Sequence, residues 1–189
     1  KLSAQLIQSA KNGNLDCVRY LVDVRANVNA NVHGTCLSWA VYYGHVEVAK
    51  YLVEQKVDVE AKDFGNIGCT PLFWAANRDF SSSREMVRLL VETAKANVDA
   101  KSSRNQLTPL MTAAANDRCW VVEYLLEYGK ADIQTNDKNG MTALDWARKN
   151  QNAEVVACLS VHITNNAKKA VERDLDSVFM LHPMILTAI

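Results

Sequence analysis

The sequence predicts an all-α fold, a solenoid of five stacked helix-turn-helix units followed by a C-terminal helix. Three observations support this. A Thr-x-Leu tripeptide occurs four times with a period of about 35 residues, a small-residue pair or its remnant follows each copy, and an apolar stretch comes next. One such unit cannot bury its apolar face alone, so several must stack. The tripeptides are Thr35-Cys36-Leu37, Thr70-Pro71-Leu72, Thr108-Pro109-Leu110 and Thr142-Ala143-Leu144.

The tripeptide opens the first helix of each unit. Threonine is a good N-cap because its hydroxyl accepts a hydrogen bond from a free N–H of the first turn. Pro71 and Pro109 then occupy the first helical position, where no backbone donor is needed. Leu72, Ala75 and Ala76 share one helical face, and the small alanines let the next helix approach closely.

A turn, a second helix and a polar loop complete each unit. In the second unit, Gly44 and His45 end the first helix and start the second. Segments 26–29 and 131–134 lead out into polar stretches, and 137–140 is a strong turn signal before the next threonine. The apolar stripe of the second helix is Val46, Val48, Ala49, Leu52 and Val53.

The repeats define one domain over residues 1–164. The first copy lacks its tripeptide and has a polar first helix, and the last copy has Arg148 where inner units have a second alanine. Polar outer faces are typical of terminal repeats. The predicted units are at about 2–34, 35–69, 70–107, 108–141 and 142–164.

The segment 165–189 follows the repeats as an amphipathic helix and an apolar tail. The helix is predicted over 167–181, with Pro183 ending it. It packs on the last repeat as a cap, or it is the first helix of a missing downstream domain, or it is a peptide that docks elsewhere. Its apolar stripe is Val171, Leu175, Val178 and Phe179.

These units resemble the ankyrin repeat over roughly residues 2–160. The resemblance is carried by the Thr-Pro-Leu openings, the alanine pairs, the Gly-His turn and the apolar second helices. It implies two antiparallel helices per unit with a projecting β-hairpin-like loop. It also implies a concave side formed by the hairpin tips and the first helices. The repeated pattern is specific for the fold and says little about function.

Several loops depart from the length usual in the family. The hairpin at 63–69 is about two residues longer, the turn at 79–83 is also longer, and the tip at 31–34 is shortened. Segments 93–95 and 128–130 each carry about one extra residue. Insertions in a solenoid map to loops, often on a working face. Neutral change is an equal alternative, because surface loops tolerate insertion.

Composition and motifs argue against a nucleic-acid partner, a membrane span and an enzyme. Lys plus Arg and Asp plus Glu both number 21, so the net charge is zero, whereas nucleic-acid binders usually carry a basic face. No apolar run reaches the ~18 residues of a membrane helix. No nucleophile-elbow, metalloprotease or phosphate-loop motif occurs. We expect no catalytic residue, no cofactor and no metal.

The cysteines and histidines indicate structural roles. Five cysteines without a C-x-x-C pair predict no disulfide framework and no four-ligand zinc site. We expect small buried thiols in a reducing compartment, cytoplasmic or nuclear. The family resemblance implies a structural role for His45 in the Gly-His turn, and Cys36 replaces the usual proline.

The resemblance places the binding surface at the hairpin tips and the ends of the first helices. Tryptophan occupies the same repeat position in three of four units, and aromatic residues and Arg are enriched at binding hot spots. Packing between adjacent first helices is the alternative for the tryptophans. The groove is expected to be aromatic in its first half and more polar in its second. The candidate protein-binding residues are His33, Trp39, Tyr42, Tyr43, Phe64, Asn66, Trp74, Asn77, Arg78, Arg104, Asn105, Thr112, Asn116, Lys138, Asn139, Trp146 and Lys149.

We therefore expect a monomeric scaffold or adaptor that binds a protein or peptide on its concave surface. The alternative is a targeting or substrate-recruiting module of a larger enzyme, channel or host-directed effector. Asn29, after Val28, resembles the asparagines that are hydroxylated in ankyrin hairpins, and Asp99 lies at the matching place. That modification would make the chain a substrate.

Overall fold

A computed structural model describes the backbone of residues 1–63, 67–79 and 82–185, with side chains described as far as Arg173. Over these residues the secondary structure is helical, with ten α-helices and no strand. The helices follow one another in pairs, as predicted, and are labelled α1 to α10 in chain order. They are Leu2–Lys11, Leu15–Asp23, Cys36–Tyr42, Val46–Glu54, Pro71–Asn77, Ser83–Arg88, Pro109–Ala115, Cys119–Glu127, Ala143–Lys149 and Ala153–Ile185.

The helices form two stacked rows around one continuous core. The first helices α1, α3, α5, α7 and α9 pack against one another in series, and each second helix packs on the first helix of its unit. The tripeptide leucines Leu37, Leu72 and Leu110 are at most 1% exposed. Leu144 in the last unit is partly exposed, because the described residues include no further repeat to cover α9. This arrangement confirms the predicted all-α solenoid.

Threonine caps every helix that the tripeptide opens. The Oγ1 atoms of Thr35, Thr70, Thr108 and Thr142 each accept a hydrogen bond from the backbone N–H three residues later. In the last unit Asp145 completes a capping box, because its carboxylate accepts the backbone N–H of Thr142 at 2.9 Å. That backbone bond is the main reason why the pKa of Asp145 is lowered.

The Gly-His turn ties neighbouring units together. Nε2 of His45 lies 3.0 Å from the backbone oxygen of Lys11, at the end of α1. The His45 ring also fills the space beside Gly13, where a Cβ would come within 2.5 Å of it and where φ is +71°. Glycine is required at this position for both reasons. The contacts confirm the structural role expected for His45.

Two of the extra residues are absorbed at the ends of second helices. After α6, Leu89–Thr93 forms a π-helical turn, in which the N–H of Ala94 donates to the backbone oxygen of Leu89 at 2.9 Å. After α8, the N–H of Gly129 donates to the backbone oxygen of Tyr124 at 3.2 Å with the same spacing. A π turn accommodates one residue without disturbing the rest of a helix. These two insertions therefore do not change the hairpins.

The loops between units are hairpin-like and are linked to one another. The N–H of Asp63 donates to the oxygen of Cys69 at 3.1 Å, which closes one hairpin. From unit to unit, a side chain of one loop accepts the backbone N–H of the next, and this bond occurs three times. The three pairs are Asn29 with Asp58, Glu60 with Asn97, and Asp99 with Asp132. Asn29 and Asp99, the candidate hydroxylation positions, thus both act as inter-unit acceptors.

The segment predicted to be helical over 167–181 is helical, but it is not a separate helix. The second helix of the fifth unit, α10, begins at Ala153 and continues to Ile185, past Pro183. The sequence contains no Gly or Pro between Ala153 and His182, so no residue ends the helix where the repeat pattern ends.

Residues 164–173 of α10 do not cap the solenoid. They are all exposed, and Val171 of the predicted stripe is 59% exposed. Leu175, Val178 and Phe179 lie outside the residues whose side chains are described. Cap packing by that later part of the stripe stays a prediction.

Candidate functional site

Units two and three enclose a pocket of 310 Å³ beside the first hairpin tip. Helix α3 contributes three rings, from Trp39, Tyr42 and Tyr43, because positions i, i+3 and i+4 share a helical face. Helix α5 contributes Trp74. The pocket is lined by His33, Gly34, Ser38, Trp39, Tyr42, Tyr43, Asp63 and Trp74. Five of the predicted site residues therefore meet at one cavity.

The four larger rings of the pocket contact one another in a continuous series. Trp39 and Tyr43 are stacked, with centroids 5.9 Å apart and planes 20° apart. Tyr42 stands edge-on to Trp74, at 5.1 Å and 79°. Such contacts restrict ring rotation, and each contributes about 0.5–1.5 kcal/mol beyond the burial of area. The pocket therefore presents preformed ring surfaces.

Asp63 holds the far side of the pocket in place. Its Oδ2 accepts the indole N–H of Trp74 at 2.8 Å, and its Oδ1 accepts the backbone N–H of Cys69 at 3.0 Å. The first bond fixes the orientation of the indole and the second closes the long hairpin. The insertion predicted at 63–69 thus begins with a residue of the pocket.

Two cations of the chain already lie on these rings. The guanidinium of Arg78 is 4.2 Å from the centroid of Tyr42 and donates to the Tyr42 hydroxyl at 3.3 Å. The ammonium of Lys11, from the first unit, is 4.5 Å from the centroid of Trp39. Distances below about 6 Å are typical of cation–π contacts. Two rings of the pocket, Trp39 and Tyr42, therefore already make cation–π contacts within the chain.

The environment of Thr112 differs from the one expected for a protein-binding residue. It occupies the position of Trp39 and Trp74 in the fourth unit, but it is 4% exposed. Its Oγ1 accepts the side-chain N–H of Asn77 at 3.0 Å, and Asn116 donates to its backbone oxygen at 2.8 Å. The smaller side chain fits between adjacent first helices and bonds there, so little of its surface is accessible.

Among the described residues, the second half of the predicted groove is more polar than the first, and none of its side chains lines the aromatic pocket. Trp146 is partly exposed, like Trp39 and Trp74, so burial does not separate the packing and contact roles of the tryptophans. The ammonium of Lys149 lies 4.7 Å from the centroid of Trp146. Phe64 and Asn66 lie outside the described residues. The remaining candidates, mostly exposed, are Arg104, Asn105, Asn116, Lys138 and Asn139.

Sequence reasoning missed four residues of the site. Gly34, Ser38 and Asp63 line the pocket, and Lys11 lies on its rings. A Cβ at Gly34 would come within 2.9 Å of Nε1 of Trp39, so glycine permits the close approach of the indole. Asp63 could have been found from the long hairpin that it opens. Lys11 could not, because its contact joins two different units.

The cysteines are less uniform than expected. Cys36 and Cys69 are buried, and burial raises the pKa of Cys36 to about 11 and that of Cys69 to about 12. Cys17 is exposed, and Cys119 and Cys158 are partly exposed. The expectation of five buried thiols is therefore wrong.

Comparison with known families identifies the fold. The family model described as "Ankyrin repeats (3 copies)" matches residues 4–63, 63–137 and 84–170. The chain belongs to the ankyrin-repeat family, and the resemblance of its sequence is confirmed. Repeats of this family are protein–protein interaction modules. Among the described residues, the helices are too short or too polar to cross a bilayer.

Individual relatives are much longer than this chain. It is 34% identical over 142 residues to alpha-latrocrustotoxin-Lt1a of Latrodectus tredecimguttatus, covering 74% of this chain and 10% of the toxin. It is 28% identical over 172 residues to palmitoyltransferase AKR1 of Lachancea kluyveri, covering 87% and 22%. It is 30% identical over 140 residues to neurogenic locus notch homolog protein 1 of Xenopus laevis, covering 74% and 5%.

Proposed function

We propose that this chain is a non-catalytic binding module that holds a protein or peptide partner, and that the aromatic pocket accepts a cationic side chain of that partner. The observation that carries the proposal is the pocket itself. Rings from Trp39, Tyr42, Tyr43 and Trp74 surround a 310 Å³ space with one carboxylate, that of Asp63, at its edge. Aromatic residues at such density are typical of binding hot spots.

The electrostatics of the pocket favour a lysine or methylated lysine side chain. Ring faces carry partial negative charge and attract ammonium groups. The residues described as lining the pocket include a carboxylate and no Lys or Arg. Lys11 and Arg78 already lie over Trp39 and Tyr42, two rings of the pocket itself, which supports the attraction. An apolar side chain would gain burial but not the cation–π contribution.

The four tryptophans provide a direct assay. In NMR spectra, the indole N–H signals of Trp39 and Trp74 report on the pocket, and those of Trp120 and Trp146 serve as internal controls. The probes are acetyl-Ala-X-Ala-amide peptides with X as lysine, trimethyllysine or norleucine. We expect the two cationic peptides to shift the Trp39 and Trp74 signals and to bind about tenfold more tightly than norleucine, a difference of about 1.4 kcal/mol. Equal binding of norleucine would contradict the cation assignment.

A matched pair of variants separates contact from folding. Tyr43 is 40% exposed and lines the pocket, so Tyr43→Ala should weaken the cationic peptides while the helical circular dichroism stays unchanged. Tyr20 is 66% exposed on α2 and does not line the pocket, so Tyr20→Ala should bind as the wild type does. Unchanged binding by Tyr43→Ala, or unfolding of that variant, would remove support for the pocket.

We further propose that the repeats serve as the recruiting module of a longer protein that acts in a reducing compartment. The three relatives above contain the matched region as 5–22% of their length, and all five cysteines are free thiols. Sequencing the complete transcript tests whether the repeats belong to a longer protein, since an open reading frame confined to these residues would refute that proposal.

We also propose that the chain is a monomer. Light scattering tests this proposal, and a dimer would contradict it.

A further inference from the structure

We infer that Cys119, Cys158 and Glu123 form a binding site for a soft divalent cation such as Zn²⁺, between the second helices of the last two units. The site lies on α8 and α10 and shares no residue with the aromatic pocket. It does not depend on the proposed partner.

The geometry of the three side chains supports coordination. The Sγ atoms of Cys119 and Cys158 and a carboxylate oxygen of Glu123 all lie within 4.8 Å of one another. Tetrahedral zinc with Zn–S bonds of about 2.3 Å separates two sulfur ligands by about 3.8 Å. Small side-chain rotations therefore suffice to bring these atoms to ligand distances.

Further donors stand on the same two helix faces. On α8, Cys119 and Glu123 are separated by one helical turn, and on α10 Glu154, Cys158 and His162 are spaced by four residues each. Residues four apart on a helix are neighbours on its surface. All five side chains line one shallow cleft of 350 Å³. Either His162 or Glu154 is available as the fourth ligand, and a tetrahedral site needs four.

The charges around the cleft also favour a cation. The residues described as lining it include two carboxylates and no Lys or Arg. The Cys119 thiol lies 3.9 Å from Oε1 of Glu123. A divalent cation bound here would stabilise the two thiolates among the carboxylates.

A metal here would join the last unit to the fourth. Helix α10 is covered on one side only, since its unit ends the described repeats, and a metal shared by α8 and α10 crosslinks the two second helices. Binding to the folded chain alone raises its stability by mass action. With metal at about 100 times its dissociation constant, we expect the melting temperature to rise by roughly 5–10 °C.

The experiment is a Co²⁺ titration of the reduced chain, followed by Zn²⁺ competition. We expect one equivalent of Co²⁺, a thiolate-to-cobalt charge-transfer band, and loss of that band on adding Zn²⁺. Cys158→Ser leaves Cys119 as the one thiolate ligand, so it should strongly reduce the intensity of the band and weaken Zn²⁺ binding at least tenfold. Cys17→Ser removes the exposed thiol of α2, outside the cleft, and should bind as the wild type does.

Three outcomes would overturn the inference. The first is that the wild type shows no thiolate band. The second is that Cys158→Ser, folded by circular dichroism without metal, retains the band at full intensity. The third is that reduced protein binds no metal while mild oxidation crosslinks Cys119 to Cys158 in peptide mapping. That last result would assign the pair to a disulfide instead.

Discussion

The bond between Trp74 and Asp63 should couple the pocket to the long hairpin, and its contribution to stability can be measured against an internal control. Unit five repeats the pair as Asp137 and Trp146. There, Oδ2 of Asp137 and Nε1 of Trp146 are both buried without a hydrogen-bond partner among the described residues. The two pairs share side-chain types and repeat position. They differ in whether the indole donates to the carboxylate.

The coupling energy between Asp63 and Trp74 can be estimated from the geometry of their hydrogen bond. The bond in unit three is 2.8 Å long and has a charged acceptor, and such bonds contribute about 1.5–3 kcal/mol. Both side chains are partly exposed, so water replaces part of the bond when it is broken. We therefore expect a coupling energy of about 1–2 kcal/mol for this pair and less than about 0.5 kcal/mol for the pair in unit five.

Two double-mutant cycles provide the assay. The first combines Asp63→Ala with Trp74→Phe, and the second combines Asp137→Ala with Trp146→Phe, each in urea-induced unfolding followed by circular dichroism. Each cycle cancels the loss of the carboxylate's other hydrogen bonds, including the one to Cys69. Equal coupling in the two units, or coupling below about 0.5 kcal/mol for Asp63 and Trp74, would refute the reasoning.

Three further predictions concern stability. Lys56 adopts a left-handed conformation with φ of 56°, so Lys56→Gly should stabilise the chain by about 0.5–1 kcal/mol in urea unfolding; a loss would contradict this. Leu125 is fully buried and Leu126 partly exposed in the same helix, so Leu125→Ala should cost about 2–5 kcal/mol and Leu126→Ala clearly less; equal midpoints would count against the core assignment. The pKa of Asp145 is lowered, so its contribution is fully present above the ordinary value of about 3.9 and is lost as pH falls through the lower folded value. Asp145→Asn should make the free energy of unfolding depend less on pH in the acid range. An unchanged slope of that free energy against pH would exclude the Asp145 cap as the source of the dependence.

Local chemistry explains why most of the fold could be predicted. A threonine followed by proline and a helical apolar stripe determines where a helix starts, whatever surrounds it. The structure places a cap at each of the four threonines that open a tripeptide. The repeat also places equivalent residues of adjacent units side by side, which is why Trp39 and Trp74 could be expected near one pocket.

The failures of prediction have physical causes of two kinds. The end of the repeat pattern predicts the end of a helix, but α10 contains no Gly or Pro there and continues. Contacts between residues at different repeat positions were also missed. Cys119 opens α8, whereas Cys158 lies beyond the first turn of α10. Their meeting depends on how the two helices are offset, which sequence spacing does not report.

One repeat position has three different environments along the solenoid, and this supports the proposal of a binding site between units two and three. In unit four the position holds Thr112, which is buried and bonded to Asn77. In unit five it holds Trp146, whose ring contacts the ammonium of Lys149 at 4.7 Å. Trp39 and Trp74 instead line a cavity. The loops beside them are joined by inter-unit hydrogen bonds. A partner that enters this cavity meets rings already held in position, so it loses little free energy to ordering them.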